Sequence, residues 1–226
     1  MMKITYLGQA GLLFDNGKTK IMTDPYLSNS VVRVNPRNYR RVPVDESFLK
    51  IVPDVLVLTH NHLDHTDPDT LVHYICGEKS VTVLAPEAAF EEARKIGNKN
   101  QNYVKFNRHT EWTQDGVKFT SVLAAHSDPH PIGVIIDDGE KKYYITGDTL
   151  YNTDIFGDIP SDIDVLFMPV NGLGNNMNKT DAARFAKKIN AKKVVPYHVG
   201  MFDDMTAEDL DVDNKVIPTI YKEIEL

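Results

Sequence analysis

Thr59-His60-Asn61-His62-Leu63-Asp64-His65-Thr66-Asp67-Pro68 is the stretch on which the reading of this chain turns. Three of the eight histidines of a 226-residue chain fall within six positions of it. Imidazole is a neutral, borderline-soft ligand, and a carboxylate adds charge and can join two ions, so this mixture points to divalent metal. His60 and His62 lie two apart, and an extended backbone aims both the same way. Asp64 and His65 follow where the chain bends, so they can serve a second ion. The bland alternative is a polar loop of solvated histidines, and the local context disfavours it. The apolar run Asp54–Leu58 (DVLVL) upstream reads as a buried strand. Downstream, Asp67 followed by Pro68 is a helix start, an N-cap acceptor before a proline whose missing N–H costs nothing. A segment between a buried strand and a helix start lies where side chains emerge into a crevice.

Outward from this segment, the chain reads as alternating strands and helices. Strands are predicted over Lys3–Leu7, Gly11–Asp15 and Thr19–Thr23, with Asn16-Gly17 turning the last pair because both residues tolerate positive φ. The helix after Asp67 should run to Ile75. Strand Val81–Ala85, helix Glu87–Ile96 and strand Tyr103–Phe106 follow. Then come strands Val117–Ala124, Gly133–Asp137, Lys142–Thr146 and Asp164–Met168, helix Thr180–Ile189, strand Lys193–Pro196 and a C-terminal strand. Strands outnumber helices, and helices occur in both halves. That favours an α/β sandwich, two sheets with helices outside, over a doubly wound sheet. No repeat, low-complexity tract or linker divides residues 1–226, which read as a single domain.

Three further residues leave the ends of apolar runs: His126 in AAHSDPH, Asp148 in ITGDT and His198 in VVPYHVGMF. Each alone is weak. Together with the first segment, and with Asp24 in TDPYLS, their order resembles the motif pattern of the metallo-β-lactamase superfamily across nearly the whole chain. Thr23–Ser28, Thr59–Leu71, Pro169–Ile189 and Val194–Phe202 are similar to the branch containing bacterial L-ascorbate-6-phosphate lactonase. The resemblance implies a four-layer αββα sandwich. It implies two divalent metal ions per chain, one on His60, His62 and His126, the other on Asp64, His65 and His198, with Asp148 bridging them. Asp24 would support the site without binding metal, as an acceptor that fixes a ligand imidazole. The lactonase branch favours manganese, the wider superfamily zinc, and a nitrogen–oxygen donor set accepts either.

Such a pair of ions lowers the pKa of a bridging water toward ~7 and supplies hydroxide to an ester, lactone or phosphoester, so Asp64 and Asp148 take catalytic roles. The chain has no Gly-x-Ser-x-Gly, and its one cysteine, Cys76, sits at a helix end, so a protein nucleophile is not expected. His130, close in sequence to His126, is a candidate proton donor, against a solvent-facing alternative. His73 reads as structural and His109 as surface, and Trp112 has no evident role.

The long polar segment Ser28–Val44 reads as a loop carrying Arg33, Arg37, Arg40 and Arg41. Guanidinium forks match phosphate and carboxylate oxygens, so Arg40 or Arg41 is expected to recognise an anionic substrate; an oligomer contact in a homo-oligomer would use the same residues. Asn171 and Asn176, in Asn171–Asn176 (NGLGNN), are candidates to line the substrate pocket. The expected function is hydrolysis of a small, anionic ester or lactone, with a phosphodiesterase on the same site as the alternative. The net charge of −7 argues against a nucleic-acid partner. No apolar run is long enough to span a membrane, no secretory leader is visible, and a lone cysteine suits a reducing compartment, so a cytoplasmic location is expected.

Overall fold

The computed structural model describes residues 2–226. Sequence patterning explains its layers. In β4 (Val55–Val57) and the residue after it, Val55 and Val57 face one way while Leu56 and Leu58 face the other, and all are buried. In β11 (Val165–Pro169), Val165 and Phe167 alternate in the same manner with Leu166 and Met168. A strand apolar on both sides must be covered on both faces, and the two sets of residues enter different clusters. One cluster joins the inner faces of two sheets, through Phe14, Ile21, Val55, Val57, Val134, Ile145, Phe167 and Val195 among others.

The first sheet has the order β1-β2-β3-β4-β5-β6, formed by Lys3–Gly8, Gly11–Asp15, Lys20–Thr23, Val55–Val57, Thr82–Ala85 and Asn102–Lys105. Its outer face is covered by α1 (Pro68–Ile75) and α2 (Glu87–Ile96), which insert Leu71, Tyr74, Ala89 and Ala93 against Met22, Leu56 and Val83. The second sheet has the order β12-β11-β10-β9-β8-β7, where β7 to β10 are Glu111–Gln114, Val117–Leu123, Ile132–Asp137 and Lys142–Ile145, and β12 is Lys193–Tyr197. Its outer face carries α3 (Lys179–Ile189), through Ala182, Phe185, Ala186 and Ile189. Helix, sheet, sheet, helix is the four-layer αββα sandwich expected from the sequence.

Strand direction positions the site. β1, β3 and β4 run the same way, since β1–β2 and β2–β3 are antiparallel and β3–β4 is parallel. In the second sheet β8, β10, β11 and β12 share one direction by the same reasoning. The C-terminal ends of these strands emit Gln9, Asp24, His60, His126, Asp148, Asn171 and His198. Two backbone bonds tie the sheets at this rim: Ile132 N–H to the Thr59 carbonyl at 3.0 Å and His198 N–H to the Gln9 carbonyl at 2.9 Å. Gly147 must lack a side chain here, because it has φ +61° and a Cβ would lie 2.8 Å from the Ile132 carbonyl oxygen.

α1 begins and ends where the sequence predicts, with the Asp67 carboxylate accepting from the Asp69 N–H. Two elements differ. β7 was not expected: Glu-Trp-Thr-Gln is polar and forms an edge strand, stabilised by half-buried Trp112 packing on the inter-sheet core. The expected C-terminal strand does not form. Pro218 interrupts it, and the tail instead makes short backbone contacts with β12, through Val216, and with β1, through Tyr221 and Ile224. The tail thus covers one edge of each sheet, β1 and β12, and protects those edges from further strand pairing. Among the described residues, no helix is long and apolar enough to cross a membrane.

Candidate metal centre

The seven residues singled out from the sequence converge at this rim. Potential ligand atoms of His60, His62 and His126 lie within 4.8 Å of one another, as do those of Asp64, His65 and His198, and those of His60, His65 and Asp148. Asp148 sits among the others: its Oδ1 is 3.3 Å from His65 Nε2, and its Oδ2 is 3.2 Å from His198 Nε2 and 3.9 Å from His126 Nε2. His126 Nε2 faces His62 Nδ1 at 3.1 Å.

The outward ring nitrogens are held, which fixes what the inward ones present. The Asp24 carboxylate accepts from His65 Nδ1 at 2.8 Å and from Thr59 through both N–H (2.8 Å) and Oγ1 (2.6 Å). With its own proton given to Asp24, Thr59 Oγ1 accepts from His60 Nδ1 at 3.1 Å. His126 Nδ1 donates to the Asn175 carbonyl at 3.2 Å. In all three histidines the Nε2 lone pair is therefore left for the centre. Asp24 is buried and has φ +41°, a strained value for a non-glycine residue.

Burial and charge act in opposite directions on the two halves of the centre. Burial, reinforced by neighbouring His65, pushes the His60 pKa well below the usual imidazole value, and burial lowers that of His126. For His65, burial is outweighed by Asp148, Asp24 and Asp64 together, and the pKa rises well above the ordinary value. The same balance, dominated by Asp148, raises His198 to about 9. Burial would raise the Asp64 and Asp148 carboxyls, but His65 and His198 outweigh it and hold both well below the usual range.

A cation fits this arrangement. His60 Nε2, His65 Nε2 and Asp148 Oδ1 are buried and have no hydrogen-bond partner. Orphaned buried polar atoms are costly, and three of them facing one point is what a metal site presents before an ion is counted. The donors are nitrogen and oxygen only, a set that zinc or manganese accepts.

A cleft of about 340 Å³ opens onto the centre. His62, Asp64, Asp148 and His198 form its floor, and Val31, Leu173 and Phe202 supply apolar wall. Asn171 and Asn176 both line it. Asn176 is committed to holding the site: its Nδ2 donates to Asp148 Oδ2 at 2.8 Å, and its Oδ1 accepts the Thr149 N–H at 3.0 Å. Asn171 Nδ2 contacts His198 Nδ1 at 3.1 Å.

The structure does not bring the expected arginines or His130 to the cleft. Arg40 donates to the Tyr26 carbonyl (2.7 Å), the Val42 carbonyl (2.8 Å) and the Tyr221 hydroxyl, and it lies over the Tyr26 ring. Its fork is used to fasten the Ser28–Val44 loop to the C-terminal tail. Arg41 pairs with Asp204 and donates to the Phe202 carbonyl at 3.1 Å. His130 is exposed and lines a neighbouring groove with Glu87, Asn107, Arg108 and His126. The reason is its neighbour: Asp128 accepts both the His130 and Asn61 N–H groups at 3.0 Å, so this turn braces the histidine segment and leaves the imidazole outside.

Sequence reasoning missed Gln9, which contacts Asp64 and His198, and the cleft residues Val31, Asn38, Ser127 and Phe202. None carries distinctive chemistry, and only the position of Gln9 after a strand hinted at the rim.

Comparison with known proteins gives concordant results. Residues 19–199 match the family described as the β-lactamase superfamily domain. A UPF0173 metal-dependent hydrolase of Exiguobacterium is 31% identical over 219 residues, covering 89% of this chain and 87% of its own. Among solved structures, a metallo-β-lactamase fold protein of Bacillus subtilis superposes with a TM-score of 0.72 at 20% identity over 100% of both chains. An isothiocyanate hydrolase from Delia radicum gut bacteria gives 0.75 at 20% identity, covering 100% of this chain and 99% of its own. At that identity the two structures speak to the fold alone.

Proposed function

The chain belongs to the β-lactamase superfamily and, within it, to the UPF0173 metal-dependent hydrolases, and on that premise we propose that it hydrolyses a small ester or lactone at a two-ion centre. The observation that carries this reading is the meeting of His60 Nε2, His65 Nε2 and Asp148 Oδ1, all buried and unpartnered. His60, His62 and His126 would hold one ion, Asp64, His65 and His198 the other, and Asp148 would serve both. Bound there, two divalent ions supply Lewis acidity toward a carbonyl and bring the pKa of water toward ~7.

The chain's own residues supply order. Asp24 and Thr59 keep the His65 and His60 tautomers fixed, and the Asn175 carbonyl does so for His126. Asp64, whose side chain is 19% exposed and lines the cleft, sits where substrate and water would meet the ions. The wall of Val31, Leu173 and Phe202 excludes water from one side of the substrate. Among the described residues, no lysine or arginine lines the cleft. A negative group on the substrate would therefore be met by the ions, and the guanidinium clamp expected from Arg40 and Arg41 drops out. The same absence of a cationic track argues against a nucleic-acid phosphodiester. Zinc and manganese both suit the donors, and the lone cysteine, Cys76, supports a cytoplasmic setting.

The test is a screen of metal-depleted protein reloaded with zinc or manganese against lactones, phosphodiesters and thioesters. The reading expects metal-dependent turnover strongest on lactones or simple esters. Turnover confined to phosphodiesters would replace it.

A further inference from the structure

Gln9 occupies the tight turn between β1 and β2 and is 2% exposed, with φ +55°. A long polar side chain buried on a left-handed backbone is held there by its surroundings. Its carbonyl accepts from the Tyr6 hydroxyl and from the His198 N–H, both at 2.9 Å, so the turn is fastened to the loop that carries His198. Its Nε2 lies 2.7 Å from Asp64 Oδ2, and 3.2 and 3.1 Å from Nδ1 and Nε2 of His198. One amide group thus touches two of the three residues of the Asp64–His65–His198 cluster. No hydrogen bond from it reaches His60, His62 or His126 among the described residues. Apart from the histidines, it is the only hydrogen-bonding partner of the Asp64 side chain among the described residues.

We propose that Gln9 is the positioning residue of the second ion, setting the affinity of the Asp64–His65–His198 cluster and leaving the His60–His62–His126 cluster alone; this rests on the two-ion reading. The division of labour around the centre supports it. Asp24 and Thr59 orient His65 and His60, the Asn175 carbonyl orients His126, and Asn176 orients Asp148. His62, Asp64 and His198 are the members these residues do not hold; Gln9 reaches the last two, and Asn171 Nδ2 also meets His198 Nδ1 at 3.1 Å. An amide suits the task because it donates without adding charge beside two carboxylates. A carboxylate tied through one oxygen keeps its plane, so less order has to be created when an ion arrives.

The experiment uses Gln9→Met, which nearly keeps the shape and loses both N–H donors, and Gln9→Ala, which is smaller and cannot clash. Metal-depleted wild type and both variants are titrated calorimetrically with zinc. Cobalt(II) absorption is read in parallel, and the melting temperature of each metal-free protein serves as the folding control. The wild type should bind in two steps. Both variants should keep the first step within about twofold and weaken the second by roughly 10–100-fold, the usual loss when a ligand's hydrogen-bond partner is removed. The cobalt spectrum of the first equivalent should be unchanged, and only the second should shift. An unchanged second step in either variant overturns the proposal. So does an equal weakening of both steps, which would mark Gln9 as a general support of the fold. A wild type that binds only one ion refutes the two-ion reading and this inference with it, whereas two wild-type ions with unchanged variants refute Gln9 alone.

Discussion

Two segments leave neighbouring strands of the first sheet and meet different fates. Residues 59–66 follow β4, and their histidines and aspartate turn to the centre of the rim. Residues 28–44 follow β3 and carry four arginines, none of which lines the cleft. Arg33 pairs with Asp69, Arg40 fastens backbone carbonyls and Tyr221, and Arg41 pairs with Asp204. The difference is chemical. Several imidazoles and a carboxylate packed into six residues are costly to bury unless a cation gathers them. A guanidinium is satisfied by any carbonyl or carboxylate in reach, so its presence in a loop says little about a ligand.

That contrast can be broken by mutation. The largest effect belongs to Asp148→Ala or His62→Ala, which should lower kcat/KM by on the order of 10³-fold or more, since several kcal/mol of charge stabilisation are lost. Circular dichroism should stay unchanged, and wild-type turnover in either variant would detach the segment from function. Asp24→Asn should cost roughly 10–100-fold in metal affinity or activity by loosening His65 and Thr59. Equilibrium dialysis checks this, and unaltered metal retention would count against it.

The metal-free protein should show the charge of the centre in its pH profile. The depressed pKa values of Asp64 and Asp148 give stability that is present above the unfolded carboxylate value, ~4, and is lost as pH falls below it. The raised value of His198, about 9, gives stability that is complete below the unfolded imidazole value and is lost as pH rises through the folded one. His60 and His126, held neutral by burial, take stability away as pH falls below the unfolded imidazole value, so melting of metal-free protein should peak near about pH 6.5. Bound zinc should flatten the alkaline side. A metal-free profile level from pH 6 to 9.5 would contradict the assignment.

The loop of arginines predicts smaller, purely structural effects. Arg40→Ala removes three hydrogen bonds and a contact with Tyr26, and should destabilise by about 2–3 kcal/mol, some 5–10 °C in Tm. Its kcat/KM on phosphorylated and neutral substrates should change alike. A rise in KM confined to the phosphorylated substrate would restore the clamp. Arg41→Ala and His130→Ala should leave both melting and turnover at wild-type values.

The sequence made most of the architecture legible where local chemistry was emphatic. Asp67-Pro68 set the start of α1 without help from the fold, and the unbroken apolar run Val55 to Leu58 announced a buried strand, whose two faces the structure packs into separate clusters. β7 was hidden because an edge strand needs only one apolar anchor, Trp112. The tail looked like a strand because its apolar residues are real, while Pro218 and the two separate edges it covers belong to tertiary structure. At the site, the His60–His65 segment could be read from residue types and spacing, whereas His126, Asp148 and His198 stood out through the resemblance of their order to the superfamily pattern. Gln9 could be read from neither: its importance lies in a 2.7 Å approach to a residue 55 positions away.

The most direct measurement of the central claim is anomalous X-ray scattering from a crystal of the zinc- or manganese-loaded protein. The account predicts two peaks about 3.5–4 Å apart, one beside His60, His62 and His126 and the other beside Asp64, His65 and His198, with Asp148 reaching both. A map with no peak at this rim, or with Asp148 and His198 turned away from the ions, would contradict it.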